Sequence, residues 1–314
     1  MIKDNLISSS YFLIVNPQAG LGKGSKDWPV ISALFEKKGI PIEFEFTKEK
    51  LHAKELAILA IESGFRKLIA VGGDGTLNEI VNGIMEQQFC SSTEVILGMI
   101  PIGSGNDWRR MYDIPDDYEG AVDVIRRGNY FIQDTGKVTF LKNGKKNHRY
   151  FANIAGIGFD AVVVNKTNRQ KERNQGGRFL YLYNIFTSLF TSDYSNAEIL
   201  IDEEKINSSV FSMNVGICKY SGGGMMQVPE AIPDDGFFDI TLIRKIGKFD
   251  VIKNVKNLYD GSFVKHPKVS TFRAKHILVD SDPAVFVEVD GESLGTTPLD
   301  FEIIPSSLTI IAGC

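Results

Sequence analysis

The sequence predicts an α/β N-terminal domain with a parallel sheet, followed by an antiparallel β-sandwich C-terminal domain. Three observations carry this. Apolar runs alternate with helical patterns up to about residue 133, the mark of a parallel sheet wound with helices. Three of the strands run straight into loops of small and polar residues, at the edge where open α/β sheets bind ligands. Beyond residue 133, short strands and turn signals dominate. The domains expected are 1–133 and 134–314, with a C-terminal tail that can return to the first.

Tyr11 to Val15 reads as the first strand and enters the glycine-rich loop Asn16 to Gly24. Trp28, Ile31, Leu34 and Phe35 mark a helix face that stops at Gly39. Ile40 to Phe46 is a strand ending at Thr47. A helix over Ala53 to Ser63 turns Leu56, Ala57, Ala60 and Ile61 inward. Leu68 to Val71 is a buried parallel strand. Val95 to Ile100 is the next, ending in the third loop, Pro101 to Asp107; a helix over Tyr118 to Arg127 follows.

The central loop is Gly72-Gly73-Asp74-Gly75-Thr76-Leu77-Asn78-Glu79. Leu77, Ile80, Val81, Ile84 and Met85 then recur at helical spacing. Thr76 and Glu79 stand in the relation of a capping box, with Thr76 as N-cap. A helix N-terminus favours an anion, and three glycines let the backbone approach one closely. A plain strand-to-helix turn is the competing reading, but it needs one glycine at positive φ, not three around an acid.

In the second half, Gly136 to Leu141 and Tyr150 to Ala155 flank Asn143-Gly144, a strong hairpin signal. Further strands are expected over 197–201, 210–217, 237–243, 271–279, 285–289, 299–304 and 308–311, with helices over 179–190 and 248–259.

A net charge of -4 and a pI of about 5.7 give no case for nucleic-acid binding. Cys90, Cys218 and Cys314 are scattered and suggest neither disulfide nor zinc site, so a reducing cytoplasm is expected. No stretch approaches the ~20 apolar residues of a spanning helix. His52, His148, His266 and His276 show no metal-ligand spacing. Gly156 to Ala161 matches G-x-G-x-x-A but follows a hairpin strand, so a sheet corner with close backbone packing is the better reading. Gly20 to Lys26 does not fit a P-loop. The aromatic stretch Phe179 to Tyr183 with Phe186 and Phe190 reads first as core and second as a lipid-facing surface.

The central loop resembles the signature of the diacylglycerol kinase catalytic domain and related bacterial lipid kinases. The same core motif occurs in NAD kinases and, more loosely, in phosphofructokinases. The resemblance covers nearly the whole chain. Asn16-Pro17, Thr47 and Pro101-Ile102-Gly103-Ser104-Gly105-Asn106-Asp107 stand where that family has them. So do Asn153 with Gly156 to Ala161, Gly222 to Met225, Pro229-Glu230-Ala231, Asp235-Gly236 and Asp290-Gly291-Glu292. Ser104 stands where threonine is common and keeps the hydroxyl. Trp108 stands where Phe is usual.

The resemblance implies ATP and Mg²⁺ as cofactors, a nucleotide site on the α/β half and a lipid site in the cleft between halves. Asn16, Thr47, Gly72, Gly73, Asp74, Gly75, Thr76, Leu77, Asn78 and Ser104 would contact ATP. Asp74 is also expected to be catalytic, by reaching a phosphate-bound Mg²⁺ or by orienting the cradle. A structural metal is implied at the Asp235 side chain with the carbonyls of Ile232 and Phe237; a plain Asp-Gly turn competes with this. Phosphoryl transfer needs a carboxylate to accept the hydroxyl proton. Asp290-Gly291-Glu292 would supply it, with Glu292 favoured over Asp290, although such a turn is also ordinary hairpin chemistry.

The resulting expectation is an ATP-dependent lipid kinase acting on diacylglycerol or a related lipid such as a sphingoid base. Its partner is a lipid substrate at the membrane surface, met peripherally from the inner, cytoplasmic face, with a homodimer as a candidate assembly. An NAD kinase is the second reading, opposed by the lipid-kinase matches in the C-terminal half. A nucleotide-binding regulatory protein without turnover is the third, opposed by intact Asp74, Asp235, Asp290 and Glu292.

Overall fold

A computed structural model describes residues 10–103, 105–171, 178–191 and 194–313. Strand β1 (Tyr11–Val15) leads into helix α1 (Ala19–Lys37), broken near its start by left-handed Gly20, Leu21 and Gly22 within the expected glycine-rich loop. β2 (Ile42–Phe46), α2 (His52–Glu62), β3 (Lys67–Gly72), α3 (Asp74–Glu86) and β4 (Ile96–Pro101) follow. The short α4 (Trp108–Met111) and α5 (Tyr118–Arg127) come next. β1 pairs in parallel with β2 and β3, and β3 with β4. Leu68 to Val71 of β3 are fully buried, as a central strand covered on both faces requires. β2 lies at the edge and is largely exposed. The chain divides into two compact units, Met1–Gln133 with Ser306–Cys314, and Asp134–Pro305. The tail belongs to the first unit because Thr309 and Ile310 pair in parallel with Ile96 and Leu97, extending the sheet beyond β4.

The second unit is antiparallel. β5 (Tyr130–Lys142) and β6 (Lys145–Phe151) form a hairpin whose two loop residues, Asn143 and Gly144, both have positive φ, as a type I′ turn demands. β7 (Ile154–Gly158), α6 (Phe159–Lys171), α7 (Arg178–Thr191), β8 (Ser195–Ile201) and β9 (Glu204–Gly216) follow. The small pair β10 (Tyr220–Ser221) and β11 (Met225–Met226) encloses three glycines, all at positive φ. Then come β12 (Phe238–Arg244), α8 (Lys248–Asn254), β13 (Val269–Ala274), β14 (His276–Asp282), β15 (Phe286–Val289) and β16 (Glu292–Ile311). β9 pairs with β7 and β8, β8 with β14, β14 with β16, β16 with β15, and β15 with β7. These six strands close on themselves around an apolar interior lined by Ile157, Ile199, Met213 and Val279.

Several features differ from the sequence expectation. The helix expected over 248–259 is α-helical only to Asn254 and continues as a 3-10 turn over Val255–Leu258. The run 271–279 is two strands, broken at Lys275, because the Asp202 carboxylate accepts the Lys275 and His276 amides and fixes a corner there. The two expected strands at the end are one long strand, β16, which passes through Pro305 and a left-handed Ser306. Helix α6 was not expected: its Val162 to Val164 run and its asparagines are poor helix formers, and packing of Phe159 and Val163 on Phe211 and Leu189 overrides them. Helix α3 starts at Asp74 with an extended Gly73 as N-cap, so Thr76 lies inside the first turn and the Thr76–Glu79 capping box does not form. The helix leaves β3 with no spare loop residue. Glu79 instead accepts the Leu51 and Ala53 amides at the start of α2.

Candidate active site

The first unit brings its strand ends side by side. The Asn16 amide donates to Val71 O, Thr47 N to Val15 O, and Ile102 N to Gly72 O. Side chains then tie the loops together. Asn16 Nδ2 donates to Thr76 Oγ1 at 3.0 Å. Asp74 accepts the Asp107 amide at 3.1 Å and the Trp108 amide at 3.3 Å, fixing the third loop to the second. Of the two jobs open to Asp74, these bonds perform the orienting one.

The glycines of the central loop differ in kind. A Cβ on Gly72 would lie 2.5 Å from Thr76 Oγ1, so the fold itself excludes a side chain there. A Cβ on Gly73 would find nothing nearer than 3.5 Å, and its φ of -98° suits any residue. It would thus make only ordinary contacts, with Ile102 O at 3.5 Å and the Gly103 Cα at 3.9 Å, at the N-terminus of a 13-residue helix. Asn106 Oδ1 lies 3.6 Å from the same Cβ position. Asn106 is 4% exposed, and this oxygen has no partner in the protein. A buried acceptor without a donor is unusual. Helix-terminal amides and an unpaired acceptor suit a phosphate ester that also carries a hydrogen-bond donor.

Gly75 lies half-buried in the first turn of α3. Two expected nucleotide contacts are already committed. Leu77 is buried and its amide is spent on Gly73 O; Asn78 is buried with its Oδ1 accepting from Asn82 Nδ2. Both face inward because they lie on the apolar side of α3. Ser104 lies outside the described residues.

In the second unit, Asp290 and Gly291 form a two-residue turn between β15 and β16, both at positive φ, with Val289 paired to Glu292. The Asp290 carboxylate is 7% exposed and accepts three amides: Ala152 N at 3.1 Å, Asn153 N at 3.1 Å and Ile154 N at 3.2 Å. It is a tether, with its acceptor capacity committed. Glu292 is half-exposed at the start of β16. Sequence reasoning passed over Glu288, which is fully buried; the Gly291 amide donates to its Oε2 at 2.9 Å. Nothing in a strand residue two positions before the turn signals this contact.

Asp235 accepts the Phe237 amide at 3.1 Å and forms an ion pair with Arg273, which also reaches Asp239 Oδ1 at 3.4 Å. Asp239 is buried, its Oδ2 has no partner, and burial pushes its carboxyl up to about 6 against the pull of Arg273. The oxygen donors here suit a hard cation such as Mg²⁺. The Asp235 carboxylate is paired with the Arg273 guanidinium. Ile232 is exposed at the edge of this segment. Histidine spacing gave no metal ligands, yet pairing of β14 with β16 gathers His276, Asp300 and Glu302 on one surface.

The aromatic stretch on α7 is not core at the positions described. Tyr183, Phe186 and Phe190 are exposed, on one side of the helix, while Ile185 and Leu189 pack on the interior. Side chains of residues 179–182 lie outside the described ones. Lys166 stands over Tyr183, Lys248 over Phe190 and Lys245 over Tyr194. Among the described residues no helix is long and apolar enough to cross a membrane.

The α/β unit thus carries a glycine-rich strand-to-helix loop, and the antiparallel unit an acidic turn tethered by backbone amides. Residues 10–138 match the diacylglycerol kinase catalytic domain, and residues 153–312 match the YegS C-terminal NAD kinase beta sandwich-like domain. The chain is 32% identical over 289 residues to a diacylglycerol kinase of Staphylococcus saprophyticus, covering 92% of this chain and 90% of that one. It is 31% identical over 300 residues to a diacylglycerol kinase of Staphylococcus aureus, covering 96% and 91%. A solved diacylglycerol kinase structure from Bacillus anthracis shares the fold with a TM-score of 0.71 at 24% identity, over 97% of both chains. Yeast NADH kinase shares it more distantly, with a TM-score of 0.53 at 12% identity over 97% and 84%. The chain belongs to the diacylglycerol kinase family and is a lipid kinase.

Proposed function

We propose that this enzyme transfers the γ-phosphoryl group of ATP to the hydroxyl of diacylglycerol or a related lipid such as a sphingoid base. The observation that carries the mechanism is the division of labour in the D-G-E turn. Asp290 gives its carboxylate to three backbone amides as a tether, and Glu292, half-exposed at the start of β16, is assigned the proton. Bound ATP with Mg²⁺ supplies the phosphoryl group and the counter-charge for its transfer.

The chain's own residues do the rest. The first-turn amides of α3, which have no carbonyl one turn earlier, hold phosphate oxygens over Gly73. Gly72, Gly75 and Thr76 shape that turn; Asn16 and Thr47 line the neighbouring strand ends, and the Ser104 hydroxyl is assigned to the nucleotide. Asp74 keeps the third loop in register with the second, and Asn106 Oδ1 accepts a donor from the nucleotide. Glu292 accepts the proton of the lipid hydroxyl as the new P–O bond forms. Asp235, with the Ile232 and Phe237 carbonyls, would hold a structural Mg²⁺. The exposed aromatics of α7 and the lysines beside them suit peripheral contact with the inner face of a membrane from the cytoplasm. A homodimer remains the assembly to test by sedimentation.

The deciding experiment incubates the protein with labelled ATP, Mg²⁺ and a panel of lipids in mixed micelles, with NAD as a further acceptor. Phosphorylated diacylglycerol or sphingoid base is the expected product. Label in NADP alone would replace the reading by its NAD kinase rival, and ATP binding without any product would make the protein a non-catalytic regulator.

A further inference from the structure

Glu288 is a buried acid that the mechanism above does not use. It sits in a row of directly paired residues crossing the sheet: Thr241 on β12, Asn214 on β9, Gly156 on β7, Glu288 on β15 and Ser293 on β16. Directly paired residues share a face. Thr241, Asn214 and Glu288 are each no more than 2% exposed. The row is therefore polar, and buried at these three positions.

Gly156 is the gap that lets the acid in. A Cβ there would lie 2.6 Å from Glu288 Oε1 and 3.1 Å from the Asp160 Cβ. Asp160, from α6, is itself tied down by Ser212 Oγ and by Asn214 Nδ2 at 3.2 Å. On its other side Glu288 Oε2 accepts the Gly291 amide, in the middle of the D-G-E turn. The charged groups acting on Glu288 are Asp160 from α6 and Asp290 and Glu292 from its own turn, all acidic. Gly156 and Ser293, its partners on the flanking strands, carry no charge. Burial first, and these acids second, hold its carboxyl well above the ordinary carboxylate range, although the Gly291 amide pulls the other way.

We propose that Glu288 is a positioning residue that works as the neutral acid: it anchors the Gly291 amide, and so fixes the turn from which Glu292 projects, without placing a second negative charge beside the base. The proposal rests on the reading of Glu292 as base. Ionised Glu288 would repel Glu292 and Asp290 together, and a shorter side chain would leave the Gly291 amide unheld.

The test uses Glu288→Gln and Glu288→Ala in the full chain. With ATP and diacylglycerol in mixed micelles, Glu288→Ala is expected to lower kcat by about 10²-fold with the KM for ATP unchanged, as a misplaced catalytic group does. Glu288→Gln, neutral at every pH, restores most of that loss. Parental kcat falls on the alkaline side as Glu288 ionises, and Glu288→Gln lacks that limb. Parental kcat in folded Glu288→Ala, equal impairment of both variants, or an unchanged alkaline limb in Glu288→Gln would each overturn the proposal.

A second arm needs no lipid. A carboxyl raised in the fold contributes stability that is complete below its ordinary value of 4.5 and is lost as pH rises through the folded value. The Tm of Glu288→Gln should therefore gain on the parent steadily from pH 4.5 upward. A gap that does not widen with pH shows Glu288 charged in the fold and ends the proposal. If the parent phosphorylates no lipid, the proposed function fails alone, and this arm still decides the state of Glu288.

Discussion

The cradle of the first unit and the acidic turn of the second are both built on glycine-containing loops at strand ends, yet they are held by different means. The cradle is made of neighbours: three loops at adjacent parallel strand ends, joined by Asn16 to Thr76 and by Asp74 to the Asp107 and Trp108 amides. The turn is made of distant partners. Asp290 binds the Ala152 to Ile154 backbone, more than a hundred residues earlier in the chain, and Glu288 packs over Gly156. The difference teaches that identical-looking acids play unlike parts. In each loop one carboxylate accepts backbone amides and ties its loop to another segment.

The sharpest way to break that comparison is Glu292→Gln. It keeps shape and removes proton acceptance, so kcat should fall by ~10²–10⁴-fold while ATP affinity by calorimetry hardly moves. Near-parental turnover would return the D-G-E segment to an ordinary hairpin.

Asp290→Asn should show another signature. It sets an amide NH₂ against backbone donors in place of a charged acceptor, at a cost on the order of 3 kcal/mol in stability, read as a lower denaturant midpoint. A variant that melts like the parent but has lost all turnover would make Asp290, not Glu292, the base.

The cradle offers a paired test in Gly72→Ala and Gly73→Val. The first forces a Cβ against Thr76 and should destabilise by about 1–3 kcal/mol. The second should leave stability nearly intact and abolish ATP binding, because its side chain fills the space meant for phosphates. Unchanged ATP affinity in folded Gly73→Val would remove the loop from the site.

The smallest effect is expected at Asp235. Asp235→Ala should lower activity modestly and lose the rise in Tm that Mg²⁺ gives the parent, since a metal that binds only the native state stabilises it. Equal Mg²⁺-dependent shifts in both proteins, measured without ATP, would put the metal elsewhere.

Much of this molecule is written locally. Alternating apolar runs and helical stripes are enough to define β1 to β4 and their helices, because a strand buried on both faces and a helix buried on one leave periodic traces in the chain. The Asn143-Gly144 hairpin is equally local: two residues that tolerate positive φ select the turn. The strand-to-helix loop at Gly72 to Glu79 could be read for the same reason, since an apolar run ends there and a helical stripe begins.

Tertiary structure decided the rest. It started α3 at Asp74 and sent Glu79 to cap α2 instead of its own helix. It made a helix of the Phe159–Lys171 segment against its own propensity. It turned Tyr183, Phe186 and Phe190 outward, where composition alone suggested core. It also separated the roles of Asp290, Glu292 and Glu288, three acids within five residues of sequence. Sequence fixes which groups are acidic; which one can take a proton depends on the amides and the burial that distant segments bring to each.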